Sequence, residues 1–517
     1  MPQPDLTKAL HRHFGHAAFR RGQQEAVEAA VAGRDLLLVM PTGAGKSLCY
    51  QLPAMIDDKL AVVVSPLVSL MQDQVDGLGG RAELINAQRA GAENRATLER
   101  AIAGHTRMLY VAPERFAIPG FVERLREANV GLFVVDEANC VSEWGHDFRP
   151  EYMRLGQVAR ALEVESIFAA TATATPKVGL DIARQLGLNE PVRITTGFDR
   201  PNLSYDVVPI ASERSKQATL TALLREPDAL PAIVYAGTRK KANEISKTLQ
   251  RELKMPVPAY HAGLEREPRA EAQRAFMSGR AQVVVATNAF GMGVDKANVR
   301  TVIHASVPAS LEAYYQEAGR AGRDSLPSRC VLLAESRDKG LHVFFINQVD
   351  SEEAKSHRWR QYREVWGFVE GTNCRRASIL RHFGDHSPAV AVGRCCDVCD
   401  GALPVVLEAR RSRPAAPRPG AAAGSDTRGG KEVAIDAILT VVAEASPSVG
   451  RTRTVEILRG GRSKVVLKNG YDSLPGYGEF DGWRTEELMQ EVDALIAAGR
   501  LRSTGGKFPK LAVAEAA

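Results

Sequence analysis

Four short segments of this 517-residue chain carry residue types that could bind and hydrolyse a nucleoside triphosphate. They are MPTGAGKS at 40–47, DEAN at 136–139, TAT at 171–173 and QEAGRAGR at 316–323. The first is typical of a phosphate-binding loop, the second holds an acidic pair, the third holds two hydroxyls, and the fourth holds two arginines. Each could have an ordinary structural role by itself. In this order they predict two halves of a nucleotide-driven motor that close on one ATP.

The glycine-rich segment is expected where a strand turns into a helix. Glycines let backbone N–H groups approach phosphate closely, and the helix N-terminus adds the positive end of its dipole. Lys46 would then reach the β- and γ-phosphates, and the Ser47 hydroxyl would bind Mg²⁺. Met40 stands where the usual pattern has its first glycine, and a plain glycine-rich turn is the alternative. The residues predicted to surround the phosphates are Thr42, Gly43, Ala44, Gly45, Lys46 and Ser47.

An acidic pair follows the apolar run GLFVV at 131–135. Open parallel sheets bind ligands at the carboxyl ends of their strands, so these acids are expected to face the phosphate loop. Asp136 is predicted to hold Mg²⁺, and Glu137 to orient and deprotonate the attacking water. Solvated acids at a strand end are the alternative, but the presence of Lys46 favours catalysis.

Arg320 and Arg323 are three residues apart, which predicts that they share one helix face. A guanidinium from a facing element stabilises the charge on a γ-phosphoryl group during its transfer. The two arginines are therefore predicted to close over the site from a second domain, with Gln316 also at the nucleotide. The alternative is a basic helix face paired with its own neighbours, Glu317 or Asp324.

The elements that must position these residues follow a repeating strand–helix pattern. Short, fully apolar runs typical of buried parallel strands alternate with helical segments. The pattern predicts an α/β fold with two tandem, doubly wound parallel-sheet domains, at 1–203 and 204–336. The segment DRPNLSYDVVPI at 199–210 is expected to be the linker between them. The predicted strands are 36–40, 60–65, 108–112, 131–135, 166–171, 232–236, 283–287 and 301–305.

Beyond residue 336 the strand pattern stops, and residues 337–403 are predicted to form a helical, zinc-binding subdomain. Four of the seven cysteines are clustered there. Four thiolates suit tetrahedral Zn²⁺, and the Cys-x₂-Cys spacing at 396–399 is typical of such sites. The alternative is a free Cys395, with His382 or His386 as the fourth ligand. The predicted ligands are Cys374, Cys395, Cys396 and Cys399.

The last part of the chain reads as a linker and a small domain. Residues 404–430 are rich in proline, alanine, glycine and arginine, which predicts a flexible linker. Residues 431–517 are predicted to form a winged helix with a hairpin around Gly505-Gly506. Its stretch at 449–468 carries six basic side chains and one acid.

Composition sets broad limits on the protein. The net charge of +6 is compatible with nucleic acid but does not require it. No apolar run reaches the length that a membrane span needs, and MPQPDLTKALHRHF at the start is not typical of a signal peptide. A soluble, intracellular chain in a reducing compartment is therefore expected.

Several of these segments together resemble the RecQ-type DNA helicases, over about residues 10–510. The resemblance rests on FRRGQ at 19–23, SPLVSLMQDQ at 65–74, LYVAPERF at 109–116, YHAGL at 260–264 and VVVATNAFGMGVDKANVR at 283–300. It implies two RecA-like domains followed by the zinc-binding subdomain and the winged helix. By the same resemblance, Gln23 would pair with the adenine edge and Arg20 would stack on the base.

The most diagnostic segment is VSEWGHDFRPEY at 141–152, which resembles the aromatic-rich loop of that family. Trp144, Phe148 and Arg149 offer two π-faces and a cation, a combination that binds unstacked bases. A buried structural tryptophan is the alternative for Trp144. Because the loop follows Glu137 closely, it is expected to report DNA occupancy to the hydrolytic site.

One departure from the family pattern falls inside this coupling region. Relatives usually have histidine after the DEA triplet, and this chain has Asn139. An amide can still hydrogen-bond with Thr171 or Thr173, but it cannot carry charge. The coupling of DNA binding to hydrolysis is therefore the property most affected by this departure.

The resemblance implies an ATP-, Mg²⁺- and Zn²⁺-dependent DNA helicase that moves 3′→5′ and unwinds forked or branched duplexes in recombination, replication or repair. Single-stranded and forked DNA are the implied partners, with single-strand-binding protein or other repair proteins, in the cytoplasm at the nucleoid. The basic run of the winged helix, at 449–468, would lie on duplex phosphates. The wing tip, Gly505-Gly506-Lys507, lacks an aromatic pin and leaves Phe508 as a wedge or core residue, and no further nucleic-acid-binding domain is expected after 513. The alternatives are RNA unwinding and a degenerate, non-catalytic DNA-binding scaffold.

Overall fold

The structure is a computed structural model that describes residues 5–145, 147–290, 296–406, 427–461, 463–504 and 509–514. The chain divides into two compact units, Met1–Pro414 and Ala415–Ala517. Each unit is described by itself below. Among the described helices, none combines the length and the apolar character needed to cross a membrane.

The first domain is a seven-stranded parallel sheet with helices on its faces. The strand order is β3-β4-β2-β5-β6-β1-β7, and the central strands are fully buried, as their apolar sequences require. The strands are β1 Leu36–Val39, β2 Leu60–Val64, β3 Ala82–Ile85, β4 Met108–Val111, β5 Val130–Asp136, β6 Ser166–Thr171 and β7 Val192–Thr195. The helices are α1 Leu6–Phe14, α2 Gln23–Val31, α3 Lys46–Ile56, α4 Val68–Gly77, α5 Gly91–Ile102, α6 Phe121–Arg126, α7 Leu155–Ala161 and α8 Pro176–Leu186.

The second domain is a six-stranded parallel sheet in the order β10-β11-β9-β12-β13-β8. Its strands are β8 Leu203–Ile210, β9 Ala232–Tyr235, β10 Ala259–Tyr260, β11 Val283–Ala286, β12 Thr301–His304 and β13 Ser328–Glu335. Its helices are α9 Glu213–Arg225, α10 Arg239–Leu253, α11 Arg266–Met277 and α12 Leu311–Ala318. The prediction of two tandem doubly wound domains is confirmed.

One predicted linker is wrong. Most of the segment 199–210 is β8, which pairs with β13 over its full length, from Leu203 opposite Ser328 to Ile210 opposite Glu335. Pairing of that length satisfies the backbone N–H and C=O groups of the segment, which a solvated linker would leave to water. Residues 196–202, between β7 and β8, therefore join the two sheets.

A helical subdomain follows β13 and packs on the edge strand β8. It consists of α13 Ser336–Asn347, α14 Glu352–Glu370, α15 Arg375–His382 and α16 Asp397–Asp400. Tyr205 N–H donates to the Cys395 carbonyl at 3.0 Å, and Val207 N–H donates to Asp397 Oδ1 at 3.1 Å. The cysteine region thereby extends the hydrogen bonding of β8 instead of leaving it as an open edge.

The second unit has its own hydrophobic core, which includes Ile438, Val441, Leu488 and Val492. Its elements are α17 Thr427–Glu444, α18 Arg451–Leu458, α19 Lys464–Lys468, α20 Thr485–Ala497, β14 Leu501–Ser503 and β15 Leu511–Val513. The two strands are antiparallel, consistent with a winged helix. The predicted wing tip at 505–508, and residues 407–426 of the predicted linker, lie outside the described residues.

Candidate active site

A cleft of about 380 Å³ between the two sheets gathers most of the residues predicted to bind and hydrolyse a nucleotide. The first domain contributes the phosphate loop and the acidic pair, and the second contributes the segment that carries the arginines. The predicted residues that line it are Arg20, Thr42, Gly43, Gly45, Lys46, Ser47, Asp136, Glu137, Gln316, Arg320 and Arg323. Both domains thus face one space, as the motor interpretation requires.

The phosphate loop is built where β1 turns into α3, and its two glycines are required by geometry. Gly43 and Gly45 have φ of +84° and +89°, in the left-handed region that favours glycine. A Cβ on Gly45 would lie 2.4 Å from Gln23 Nε2, and a Cβ on Gly43 would lie 3.2 Å from Arg323 Cγ. The loop therefore packs closely against the first domain on one side and against an arginine of the second domain on the other.

The acidic pair lies at the end of β5. Asp136 is buried, and burial raises its pKa to about 6, with Glu137 adding to the rise and Lys46 opposing it. Lys46 Nζ is 3.8 Å from Glu137 Oε1. Within the described residues, Asp136 Oδ1 and Glu137 Oε2 are buried without hydrogen-bond partners. A buried carboxylate oxygen that shares the cleft with the Ser47 hydroxyl is the hard oxygen donor that Mg²⁺ prefers, so these residues fit the ion.

Arg320 and Arg323 do not share a helix face, and this prediction is wrong. Helix α12 ends at Ala318, and both arginines lie in the turn that follows it. The acids proposed as alternative partners are engaged elsewhere, since Glu317 Oε2 is 2.8 Å from His304 Nε2 and Asp324 pairs with Arg300. The turn instead places both arginines on the nucleotide cleft, where Arg320 is buried.

The two residues expected at the adenine have different positions. Arg20 lines the cleft and donates to the Gly43 carbonyl at 3.1 Å. Gln23 is buried, and its Nε2 donates to the carbonyls of Ala44 at 3.2 Å and Gly45 at 3.1 Å. In this structure Gln23 therefore supports the phosphate loop from behind.

The aromatic loop begins directly behind the acidic pair. A 3₁₀ turn, Ala138–Val141, starts with Cys140 N–H donating to the Glu137 carbonyl at 2.9 Å. A Cβ on Gly145 would lie 2.4 Å from the Asn139 carbonyl, so only glycine allows the loop to pack on this turn. The loop and Glu137 are therefore joined by one short piece of backbone. His146 lies outside the described residues.

Trp144 packs against cations from two other elements. Lys177 Nζ, on α8, lies 3.1 Å from the centre of the indole ring, and the guanidinium carbon of Arg360, on α14, lies 5.1 Å from it. The His357 ring meets the indole edge-on at 5.4 Å. These three partners were missed from the sequence, although the basic and aromatic run RWRQYR at 358–363 could have indicated such a surface.

The other loop residues predicted to contact DNA are also placed. Phe148 and Trp144 line a pocket of about 330 Å³ between the loop and α14. Arg149 is turned inward, donating to the Pro66 carbonyl at 3.3 Å and pairing with Asp147 at 3.2 Å. Trp144 and Phe148 thus border a space large enough for an unstacked base, and Arg149 braces the loop.

Asn139 lies where its amide was expected to act. It is buried, and its Oδ1 accepts a hydrogen bond from Thr171 Oγ1 at 2.8 Å. Thr173 N–H donates to Thr171 Oγ1 at 3.2 Å, while Thr173 Oγ1 is buried without a partner in the described part of the chain. The three residues join the end of β6 to the turn between Glu137 and the aromatic loop.

The four predicted cysteines converge at the start of α15 and around α16. Their sulfur atoms all lie within 4.8 Å of one another, and those of Cys374 and Cys395 are 3.7 Å apart. Zinc–sulfur bonds of about 2.3 Å in a tetrahedron require sulfur–sulfur edges of about 3.8 Å, so the donors fit the ion. Burial by itself raises the pKa of the Cys374 thiol, but hydrogen bonds from the Ala377 N–H and the other thiols lower it overall.

The histidines considered as alternative ligands are not part of this group. His382 Nε2 is 2.7 Å from Glu312 Oε1, on α12 of the second domain. His386 lines a separate cleft beside the segment that joins the two sheets. The adjacent pair Cys395 and Cys396 both belong to the cluster, and the same two residues pair with Tyr205 of β8.

Sequence profiles of four families match successive parts of the chain. They are DEAD/DEAH box helicase at 20–180, helicase conserved C-terminal domain at 215–325, RecQ zinc-binding at 336–400 and RQC domain at 430–517. A solved structure, the DUF1998 helicase MrfA bound to DNA, aligns with a TM-score of 0.54 at 21% identity, over 67% of this chain and 54% of that chain. This likeness shows the fold alone, which is that of a two-domain helicase core.

The relatives identify the family. The chain is 36% identical over 511 residues to ATP-dependent DNA helicase RecQ of Bacillus subtilis, covering 98% of this chain and 81% of that relative. It is 40% identical over 395 residues to ATP-dependent DNA helicase RecQ of Pasteurella multocida, covering 75% and 61%. The nucleotide cleft between two RecA-like domains defines a nucleotide-driven helicase. The chain belongs to the RecQ family, and the resemblance found in the sequence is confirmed.

Proposed function

We propose that this ATP-dependent DNA helicase moves 3′→5′ along one strand and unwinds forked or branched duplexes in recombination, replication or repair. The observation that carries the proposal is the convergence of Lys46, Asp136 and Glu137 from one domain with Arg320 and Arg323 from the other on a single cleft. A nucleotide in that cleft would bridge the two domains. Its hydrolysis would then change how they are held together, which is what a stepping motor needs.

Each side chain has a role in this proposal that follows from its place. Lys46 neutralises phosphate charge, and Glu137, beside it, accepts the proton of the attacking water. Ser47 and Asp136 would hold Mg²⁺, which would neutralise charge at the phosphate oxygens. Arg320 and Arg323 stabilise the γ-phosphoryl group as its bond to the leaving oxygen lengthens. Gln316 lines the same cleft and completes the nucleotide site.

We also propose that the aromatic loop links DNA to this chemistry. A base stacked on Trp144 would displace the cations that now pack on its ring, and the movement would reach Glu137 through the 3₁₀ turn. Separating one base-pair step costs about 1.4 kcal/mol of stacking on average, and the cost recurs at every step. Hydrolysis that occurs only when DNA is bound would therefore couple each ATP to useful work.

The second unit is proposed to hold duplex DNA. In its basic run at 449–468, Arg451 and Arg459 lie at the surface, and Arg451 pairs with Asp493 at 3.0 Å. Such side chains exchange protein partners for phosphates without a large desolvation cost. Single-strand-binding protein or other repair proteins are proposed as partners, with the protein acting in the cytoplasm at the nucleoid.

The polarity experiment uses forked duplexes that carry a single-stranded tail of either polarity. The expected result is ATP-dependent unwinding with a 3′ tail and little with a 5′ tail. Unwinding that requires a 5′ tail would refute the proposed direction. An equal stimulation of ATP hydrolysis by single-stranded RNA and DNA would refute the preference for DNA.

The site assignment is tested with Lys46→Ala, which is expected to abolish hydrolysis and unwinding while single-stranded DNA still binds. The matched control is Lys59→Ala, which removes a partly exposed lysine that pairs with Glu165 and does not line the cleft. Undiminished hydrolysis by Lys46→Ala would overturn the assignment of the nucleotide site. A wild-type chain that does not hydrolyse ATP would instead favour the non-catalytic scaffold.

A further inference from the structure

We propose that Arg200 is a positioning residue for ATP hydrolysis, because it holds the turn that carries Arg320 and Arg323. The inference rests on the catalytic roles proposed above for those two arginines. Arg200 lies in the short segment 196–202 that joins the two sheets, and it is absent from the lining of the nucleotide cleft. It therefore acts through the turn and not on the nucleotide.

The guanidinium of Arg200 binds three backbone carbonyls of the arginine turn. Nη1 donates to the Gly319 carbonyl at 3.1 Å, and Nη2 donates to the carbonyls of Ala321 and Gly322 at 3.0 and 2.9 Å. The carbonyls at the end of a helix such as α12 lack intrahelical donors, and a cation there also complements the helix dipole. The planar, rigid fork of arginine fixes direction as well as distance, so the backbone on both sides of Arg320 is held in place.

Asn202 adds a second clamp on the same turn. Its Nδ2 donates to the Gly322 carbonyl at 2.8 Å and to the Leu326 carbonyl at 2.9 Å. Gly322 has φ of +54°, and a Cβ there would lie 2.4 Å from Asn202 Nδ2. The turn that places Arg323 against the phosphate loop is therefore packed directly on the segment that joins the domains.

The joining segment is itself anchored from the other side by Arg376. This side chain is only 1% exposed, and it donates to Asp199 Oδ1 at 2.7 Å, to the Arg200 carbonyl at 2.8 Å and to the Leu203 carbonyl. Arg376 is two residues after Cys374, at the start of α15. Hydrogen bonds thus run from Arg376, on the helix that follows Cys374, to the Arg200 backbone, and from the Arg200 side chain to the turn that carries the two arginines.

The expected kinetic effect follows from the tolerance of phosphoryl transfer to misplacement. A displacement of about 1 Å in a positioned group costs roughly 100-fold in rate. Loss of three hydrogen bonds would let the turn shift while leaving Arg320 and Arg323 present. We therefore expect a defect in the chemical step and little change in nucleotide or DNA binding.

The experiment compares Arg200→Gln with the wild-type full-length protein in DNA-stimulated ATP hydrolysis. The expected fall in kcat is about 10- to 100-fold, with the KM for ATP and the Kd for single-stranded DNA within about threefold of wild type. Arg200→Lys keeps the charge but loses the fork, so an intermediate kcat is expected. The matched control is Arg329→Gln, because Arg329 donates to Glu226 and to the Pro227 carbonyl and does not contact the turn.

A double mutant separates positioning from a general loss of structure. If Arg200 acts through the turn, the defect of Arg200→Gln combined with Arg323→Ala is smaller than the product of the two single defects, whereas independent defects multiply. Should Arg200→Gln lower the thermal unfolding temperature, Asn202→Ala provides a second variant, which leaves Arg200 intact and is expected to lower kcat in the same selective way.

Two results would overturn the inference: a kcat for Arg200→Gln within twofold of wild type, or a full multiplication of its defect with that of Arg323→Ala. Failure of the proposed function has a different outcome. If Arg323→Ala and Arg320→Ala hydrolyse ATP normally, the arginines themselves are not catalytic, whatever Arg200 does.

Discussion

Replacement of Asn139 by alanine is expected to reduce the stimulation of ATP hydrolysis by single-stranded DNA. Asn139 lies between Glu137 and the aromatic loop, and its Oδ1 accepts a hydrogen bond from the buried Thr171 hydroxyl at 2.8 Å. Alanine removes the acceptor and leaves that hydroxyl buried. The side-chain hydrogen bond between β6 and the 3₁₀ turn is then lost, while the close backbone approach of Gly145 to residue 139 remains.

The hydroxyl keeps partners in the variant, because Thr171 Oγ1 also donates to the Thr173 carbonyl at 3.2 Å and accepts from the Thr173 N–H at 3.2 Å. The cost is therefore that of one lost hydrogen bond, about 0.5 to 1.5 kcal/mol. Because about 1.4 kcal/mol corresponds to a factor of ten, this range corresponds to roughly 2- to 13-fold. We therefore expect the ratio of stimulated to basal kcat to fall by about 2- to 13-fold when this cost is expressed in the DNA-stimulated reaction.

The assay measures the steady-state ATPase rate with and without saturating single-stranded DNA. The variants are Asn139→Ala, Asn139→His, Thr171→Val and the double mutant Asn139→Ala/Thr171→Val. Asn139→His restores the residue usual in relatives and adds a group that can carry charge, so its stimulation ratio is expected to differ from wild type in either direction. Thr171→Val removes the hydroxyl itself, so the double mutant should be no worse than Asn139→Ala.

An unchanged stimulation ratio in Asn139→Ala would refute the coupling role of this contact. Fully multiplicative effects of Asn139→Ala and Thr171→Val would also refute it, because they would show that the two residues act separately. A fall in basal hydrolysis equal to the fall in stimulated hydrolysis would place the defect in Glu137 and not in the coupling.

Three further predictions concern other parts of the structure. A chelator, or the substitution Cys399→Ser, should release one zinc per chain and unfold the helical subdomain, while ATP analogues still bind. Amide protection of that subdomain that persists in hydrogen exchange after the zinc is lost would contradict this. Glu312 and His382 form an ion pair. Burial raises the pKa of Glu312, but the pairing with His382 lowers it overall to about 2. Burial lowers the pKa of His382, but the pairing with Glu312 raises it overall. The protonated His382 stabilises the fold fully below the ordinary histidine pKa of 6.5, and this stability is lost as the pH rises through the raised pKa. The thermal unfolding temperature should therefore decline above the raised pKa in wild type but not in His382→Gln. The stabilising effect of Glu312 is present above its ordinary pKa of 4.5 and is lost only as the pH falls toward 2. Glu312 therefore does not contribute to the decline on the alkaline side. Equal declines in wild type and His382→Gln in that range would refute the pairing. Trp144→Ala should abolish DNA stimulation while basal hydrolysis persists, and a normal ratio would mean that the indole is only structural.

Much of the chemistry could be predicted from sequence because it is local. The phosphate loop of Gly43 and Gly45 needs a strand, a tight left-handed turn and a helix start, and neighbouring residues of one short segment specify all three. The buried parallel strands were found for the same reason, since short, continuous apolar runs between turn signals are typical of strands buried on both faces. The four cysteines were found from their types and clustering.

The positions that were missed or wrong depend on distant partners. The segment 203–210 is β8 because β13 lies beside it, and no pattern within the segment specifies that neighbour. The turn that carries the arginines after α12 is held by Arg200 and Asn202, more than a hundred residues earlier in the chain. Trp144 meets Lys177 and Arg360 only after three separate elements pack together.

The amino-acid sequence by itself therefore determined the side chains of the nucleotide site, the ion-binding groups and the two sheets, because backbone conformation and ligand chemistry are set by neighbouring residues. The tertiary structure decided which face each arginine presents, what holds the turn that carries them and how the aromatic loop rests against α14. Those choices depend on contacts that close long loops of chain, and their energies exist only when the domains are packed.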